Sequence, residues 1–306
     1  MIQLNSLRKE YDDVIAVKHL NLTINKGDIF GLIGPNGAGK TTAMRMMVGI
    51  LEPTSGEALI NNRPVHQDMM ATRRMVGYIP DFFSLYDELK VHEYLNYFAD
   101  AYSVPNKSSR IDDVIAMMDL TSKRNNYIAH LSRGMKQRLA IGKTILHDPE
   151  LLVLDEPSAG LDPKARVELR DILRKISATG RTIVISSHIL MELSDLCNTI
   201  GVMQKGVMVE SGSIEEITKR VQPKIILRLE ALGDKAKLAE LVRTMPNVSD
   251  VVIKDCFFEI VFFGMRDEIP LLLKKLVDSG VQVSSFYEYK QNLEELFMSL
   301  QIKEVC

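Results

Sequence analysis

Cysteine is scarce in this 306-residue chain: Cys197, Cys256 and Cys306 stand far apart and form no C-x-x-C pair. That argues against a disulfide framework or a structural zinc site and suggests a reducing cytosol. Long apolar runs are missing too. The longest, such as Leu151 to Leu154 and Ile183 to Ile185, fall far short of the roughly 20 residues that span a bilayer, so any membrane role is expected to come through a partner. Met1-Ile2-Gln3-Leu4-Asn5 lacks the basic and apolar regions of a signal peptide and reads as a strand, which predicts no export address. Neither sign of charge dominates, since 38 Lys plus Arg stand against 40 Asp plus Glu for a formal charge of -2. No global basic field draws the chain to nucleic acid or anionic lipid, although a local basic patch stays open. Only 11 prolines and 18 glycines interrupt it, and 46% hydrophobic with 25% charged residues is an ordinary globular composition. The length suits one large domain or two, each with its own core.

What is present is ordered along the chain. The first two dozen residues alternate and break at Lys26-Gly27-Asp28, as short antiparallel strands joined by a turn would. Ile29 to Ile33 reads as a buried strand entering a Gly-rich loop, and from Thr41 the residues Met44, Met47, Val48 and Leu51 recur at helical spacing. Pro53-Thr54-Ser55-Gly56 turns the chain into a strand around Ala58 and Ile60, Asn61-Asn62 turns it again, and Val76 to Ile79 is a further short strand. Val91, Tyr94, Leu95, Phe98 and Tyr102 make one helical stripe, while Ile111, Val114, Ile115 and Met118 make another, so a helical insert is expected at about 86–135. Met117-Met118 is assigned to core packing, with no chemistry.

Leu151 to Leu154 and Thr182 to Ile185, separated by the helical pattern of Val167, Leu169, Ile172, Leu173 and Ile176, predict a βαβ unit. Near Lys219 to Pro223 the pattern restarts. Strand (Ile225 to Leu229), helix (Ala236 to Met245), two strands (across Val251 to Phe263), helix (Ile269 to Val277) and strand (Val281 to Tyr287) follow in the order of a ferredoxin-like split unit. A last helix is expected from Asn292, capped with the help of Glu295. The expected fold class is α/β over residues 1–220, with a small α+β domain over 221–306.

Gly34-Pro35-Asn36-Gly37-Ala38-Gly39-Lys40-Thr41 fits G-x-x-x-x-G-K-[ST]. Glycines are needed because backbone N–H groups must turn inward around phosphate oxygens with no Cβ in the way. Lys40 is expected to bridge the β- and γ-phosphates and Thr41 to ligate Mg²⁺, with Thr42 beside it and the following helix adding its N-terminal dipole. Leu151 to Leu154 ends in Asp155-Glu156, which puts two carboxylates at the carboxyl edge of a parallel sheet. Asp155 suits the Mg²⁺ shell, and Glu156 is the candidate base for the water that attacks the γ-phosphate.

Between these motifs, Leu131-Ser132-Arg133-Gly134-Met135-Lys136-Gln137-Arg138 resembles the signature motif of ABC ATPases. Ser132 reads as an N-cap whose hydroxyl, with the helix N-terminus behind it, makes an anion site. The resemblance implies that Ser132 and Gly134 cap the γ-phosphate held by another cassette's phosphate loop, so a head-to-tail dimer, simplest as a homodimer, would be required. Ser158-Ala159-Gly160-Leu161-Asp162 is similar to the family's D-loop, His188 to its switch histidine, and Tyr11 stands where the family stacks an aromatic residue on adenine. Two departures stand out. Arg133 and Met135 replace the usual glycine and glutamine, and Gly77-Tyr78-Ile79-Pro80 leads to Asp81 where the family has its Q-loop glutamine, so that Asp81 could approach Mg²⁺ directly or through water.

The resemblance covers about residues 1–220. It implies a P-loop NTPase cassette with an antiparallel β subdomain and a helical insert, binding ATP and Mg²⁺ at the cytoplasmic face of the membrane and driving a separate transmembrane permease docked on the helical insert. The C-terminal part, with Glu294-Glu295-Leu296-Phe297, is similar to extensions of bacterial multidrug, antibiotic or polysaccharide exporters, which implies export. An ABC ATPase acting on ribosomes or DNA is the alternative, disfavoured by the single phosphate loop and the balanced charge. A nucleotide-binding regulator without turnover would leave Lys40, Asp155 and Glu156 unexplained.

Overall fold

The computed structural model describes residues 1–221 and 225–289. The chain divides into two compact units, Met1–Ile214 and a second beginning at Glu215, a little ahead of the expected restart near Lys219. The helix expected from Asn292 and the Glu294 to Phe297 segment lie outside the described residues.

In the first unit, alternation makes β1 (Ile2–Tyr11) and β2 (Val14–Ile24) an antiparallel hairpin, with Ile2, Leu4, Leu7, Leu20 and Ile24 buried on one face. Its turn is Asp12-Asp13, so the break at Lys26-Gly27 separates β2 from β3 (Ile29–Ile33) and does not divide the hairpin. Helix α1 (Lys40–Met47) carries Met44, Met46 and Met47 into the core with no measurable exposure. Each such side chain contributes about 1.5–3 kcal/mol through burial. Next come β4 (Ser55–Ile60), the short β5 (Arg63–Pro64), α2 (Met69–Met75) and β6 (Val76–Ile79). The helical insert contains α3 (Val91–Ala101) and α4 (Lys107–Met117) and leads into α5 (Arg133–Ile145); Met118 is buried, as its stripe predicts. The βαβ unit is β7 (Leu151–Leu154), α6 (Pro163–Ser177) and β8 (Thr182–Ser187). After α7 (Leu190–Ser194) the chain forms the hairpin β9 (Thr199–Gln204) and β10 (Val207–Ser213), which, like α2, is not among the elements the sequence pattern predicts.

Among the described residues these strands form a ten-stranded sheet, ordered β5-β4-β1-β2-β10-β9-β3-β8-β7-β6. The β5-β4-β1-β2 part is antiparallel and meets the rest through one pair, Val207 with His19. Strands β9, β3, β8, β7 and β6 run parallel. Their near-continuous burial is what a sheet covered on both faces requires.

The second unit opens with α8 (Ile214–Val221), whose first residue closes the first unit. Beyond it lie β11 (Ile225–Leu232), α9 (Lys235–Arg243), β12 (Val248–Ile253), β13 (Phe258–Phe262), α10 (Ile269–Asp278) and β14 (Gln282–Tyr289). The strands pair antiparallel in the order β12-β13-β11-β14, the split arrangement that the β-α-β-β-α-β order predicts. Alternation buries Leu227, Leu229, Phe258, Ile260 and Phe262 against Ala239 and Val242 of α9 and Leu272 and Leu276 of α10.

Candidate functional site

Register assembles the site. Parallel pairing sets Ile33 against Ser187, Leu154 against Ile185 and Ile79 against Leu154. The carboxyl ends of β3, β8, β7 and β6 therefore align, and the residues that follow them, Gly34, His188, Asp155 and Asp81, emerge along one sheet edge, where ligands of open parallel sheets bind. The loop after β3 closes through Gly39, which takes φ +100° at the N-cap of α1; a Cβ there would lie 2.4 Å from the Ala16 carbonyl oxygen, so only glycine fits. The first-turn N–H groups of α1 have no intrahelical acceptor and suit an anion. Asn36, Gly37, Ala38, Thr41 and Thr42 line a cavity of about 540 Å³ with Gly39, Lys40, Asp81 and Glu156. Lys40 is buried: its Nζ donates to the carbonyls of Gly34 (2.7 Å) and Pro35 (3.3 Å) and pairs with Glu156 Oε1 at 3.3 Å.

Glu156 leaves the strand in the left-handed region, φ +47°, an uncommon conformation for a residue with a side chain. Ser186 holds it there, since the Ser186 hydroxyl accepts the Glu156 N–H at 2.8 Å and donates to Asp155 Oδ1 at 2.7 Å. The turned backbone brings Glu156 Oε2 to 2.9 Å from His188 Nδ1. One carboxylate thus lies between the phosphate-loop lysine and the histidine that follows β8, and a carboxylate so placed is able to accept a proton. Sequence reading did not single out Ser186. Nor did it single out Lys18 and Lys205, which line the same cavity from β2 and the β9–β10 turn.

The fit for Mg²⁺ rests on Asp155. Its carboxylate is 1% exposed, and Oδ2 is buried with no hydrogen-bond partner, a cost that a cation or its water shell would remove. Among the described residues no group of three or more His, Cys, Asp or Glu could hold a metal alone. A hard octahedral cation here would take the Thr41 hydroxyl, Asp155, phosphate oxygens and water. Asp81 stands close by: partial burial, then the charges of Asp155 and Glu156, push its carboxyl above the ordinary range, opposed by Arg133 and His188. The folded protein therefore holds the Asp81 proton to a higher pH than the unfolded chain does, and stability falls as pH rises through that window. Without nucleotide, Asp81→Asn is expected to melt above wild type at neutral pH, with the gap closing as pH falls through the carboxylate range. A neutral-pH melting temperature below wild type would refute the repulsion.

Other expected site residues lie apart from this cavity. Ser132 caps α5, its hydroxyl accepting the Met135 N–H at 3.3 Å, and Asp162 caps α6 through the Ala165 N–H at 2.9 Å. Neither Ser132, Gly134 nor Asp162 lines the cavity of its own phosphate loop. Tyr11 does not line it either; the hairpin contributes Val14, Ile15 and Ala16 instead, while the Tyr11 ring is exposed with the Lys9 ammonium 5.2 Å from its centre.

Residues 17–159 match the family model described as ABC transporter. The chain is 31% identical over 308 residues to the Nod factor export ATP-binding protein I of Cupriavidus metallidurans, covering 100% of this chain and 98% of that one. It is 32% identical over 301 residues to the bacitracin transport ATP-binding protein BcrA of Enterococcus faecalis (98% and 96% covered), and 29% identical over 304 residues to the linearmycin resistance ATP-binding protein LnrL of Bacillus subtilis (98% of each). Among solved structures, an ATP-binding subunit of an ABC transporter superimposes with a TM-score of 0.65 at 29% identity, over 72% of this chain and 92% of that one. A dimeric ATP-binding cassette in a post-hydrolysis state with ADP and Pi shares the fold at 23% identity, with a TM-score of 0.63 and 70% and 99% covered. With the phosphate loop, acid pair and histidine gathered on one sheet edge, and with relatives matching it from end to end, the chain belongs to the ABC transporter ATP-binding proteins and is an ATPase of that family.

Proposed function

We propose that this ATPase drives an exporter as a pair of cassettes closing head to tail on ATP. The observation that carries the proposal is the divided site: Glu156 joins Lys40 to His188 and is tied through Ser186 to Asp155, whereas Ser132 and Gly134 do not line the cavity of the phosphate loop. A second copy supplies what the first lacks. In the closed pair, the capped N-terminus of α5 from one chain meets the γ-phosphate on the other, Glu156 accepts the proton of the attacking water, and His188 holds the Glu156 carboxylate and senses the γ-phosphate. Thr41 and Asp155 are the residues that would hold Mg²⁺, which would supply charge neutralisation on the nucleotide phosphates. Loss of the γ-phosphate reopens the pair.

No helix among the described residues is long and apolar enough to cross a membrane. In this reading the motion passes to a separate permease at the cytoplasmic face. Its docking surface is the segment from Phe82 through α3, where Phe82, Tyr86, Tyr97 and Tyr102 are exposed, since aromatic residues left open to solvent are favoured interface anchors. Relatives named for Nod factor export, bacitracin transport and linearmycin resistance support export as the direction.

One purification tests the reading. A multi-span protein is expected to co-purify in stoichiometric amount from detergent-solubilised membranes, and turnover per cassette is expected to rise with protein concentration. Ribosomes or DNA in its place, or turnover per cassette independent of concentration, would overturn it.

A further inference from the structure

The segment Ser158 to Asp162 is gripped from two sides by arginines. Arg133, the first residue of α5 and the neighbour of Ser132, donates from Nη2 to the Ala159 carbonyl at 2.9 Å. The fit is close: Gly160 takes φ +67°, and a Cβ there would come within 2.4 Å of the Arg133 guanidinium carbon, so a side chain at 160 would drive the arginine off. On the far side, Arg166 of α6 donates from Nε to the Leu161 carbonyl at 3.0 Å and pairs through Nη1 with Glu192 at 2.7 Å. Glu192 is largely buried and accepts the Ser187 hydroxyl at 3.2 Å. The Ser187 oxygen also accepts the Ile189 N–H at 3.0 Å, so the hydroxyl of the residue before His188 bridges to the backbone of the residue after it.

A continuous path therefore runs from the start of α5 to the histidine: Arg133, Ala159 to Leu161, Arg166, Glu192, Ser187. Two of its links are hydrogen bonds from guanidinium to backbone carbonyls and one is an ion pair, all charge-assisted and geometrically restrictive. Compared with the family signature, Arg133 stands in place of a glycine, which could make no such contact.

We propose that Arg133 and the Arg166–Glu192 pair are positioning residues that make the 158–162 loop a strut, coupling the partner-facing Ser132 helix start to His188 of the same chain. The inference rests on the paired-cassette reading for what Ser132 meets. The strut gives that contact a consequence: seating Ser132 on the partner's nucleotide fixes where the chain's own histidine stands, so both sites of the pair become competent together. Coupling along one path is read by comparing two interruptions of it with their combination.

The test compares wild type with Arg133→Gln, Arg133→Lys, Glu192→Gln and the Arg133→Gln/Glu192→Gln double variant. For each, kcat and KM for ATP are measured, together with the affinity of dilute protein for a fluorescent ATP analogue. Arg133→Gln and Glu192→Gln are each expected to lower kcat about tenfold, as loss of one charge-assisted bond would, with analogue affinity within about twofold of wild type. The double variant is expected to fall no further than the worse single one, and Arg133→Lys, which keeps one cationic donor, is expected to recover part of the loss. Unchanged kcat in both single variants, losses that multiply in the double variant, or analogue affinity falling in step with kcat would overturn the strut. Wild-type turnover per cassette that ignores protein concentration would instead overturn the paired-cassette reading, leaving the strut to be judged by the double variant.

Discussion

Glu156→Gln is expected to lower steady-state turnover by about 10²- to 10³-fold while leaving ATP binding intact, the loss typical of removing a general base. Glutamine keeps the length and shape of the side chain and places no demand on the backbone held by Ser186. It cannot accept a proton from water, so the step that depends on Glu156 is the one lost. Removing its charge also frees Lys40, which pairs with Glu156 Oε1 at 3.3 Å, to turn toward phosphate. Affinity for ATP should therefore stay level or rise, and a closed pair should accumulate with ATP bound. Phosphate release measured beside size-exclusion chromatography in ATP reads both halves, and turnover at the wild-type rate would remove Glu156 as the base.

Lys40→Ala is expected to weaken ATP binding by about 10²-fold or more, because two charge-assisted contacts to phosphate are lost at once. Lys40 is 6% exposed, and its ammonium lies against the Gly34 and Pro35 carbonyls and the Glu156 carboxylate. Alanine would leave the phosphate loop without the Lys40 ammonium and Glu156 Oε1 without its ion-pair partner in the ligand-free protein, although His188 would still face Oε2. The same substitution is therefore expected to lower the melting temperature without nucleotide by a few degrees and to abolish the further rise that ATP gives wild type. Thermal melts with and without ATP check both effects; a full ATP-induced rise in the variant would show that phosphate is held mainly by the loop backbone.

Asp81 and Tyr11 show how far local sequence reaches. Both are singled out only by their position within a resemblance. Asp81 arrives at the site because β6 pairs in register with β7 and must end beside Asp155. Tyr11 pairs across the hairpin with Val14, and it is Val14 and the residues after it, not Tyr11, that line the cavity. Methionine-rich α1 was legible as core from spacing alone, whereas α2 and the β9–β10 hairpin were not, being too short to show a period.

Chemistry within a few residues is enough to read the phosphate loop, the acidic end of β7, the cap at Ser132 and the order of elements in the second unit from the sequence. Which of these groups meet depends on how the sheet is assembled. Ser186 bridges to Asp155 across 31 residues of chain, His188 to Glu156 across 32 and Arg133 to Ala159 across 26. Contacts at such separations have no local signature, because parallel strand register and the left-handed turn at Glu156 set them, and both follow from how the whole sheet packs.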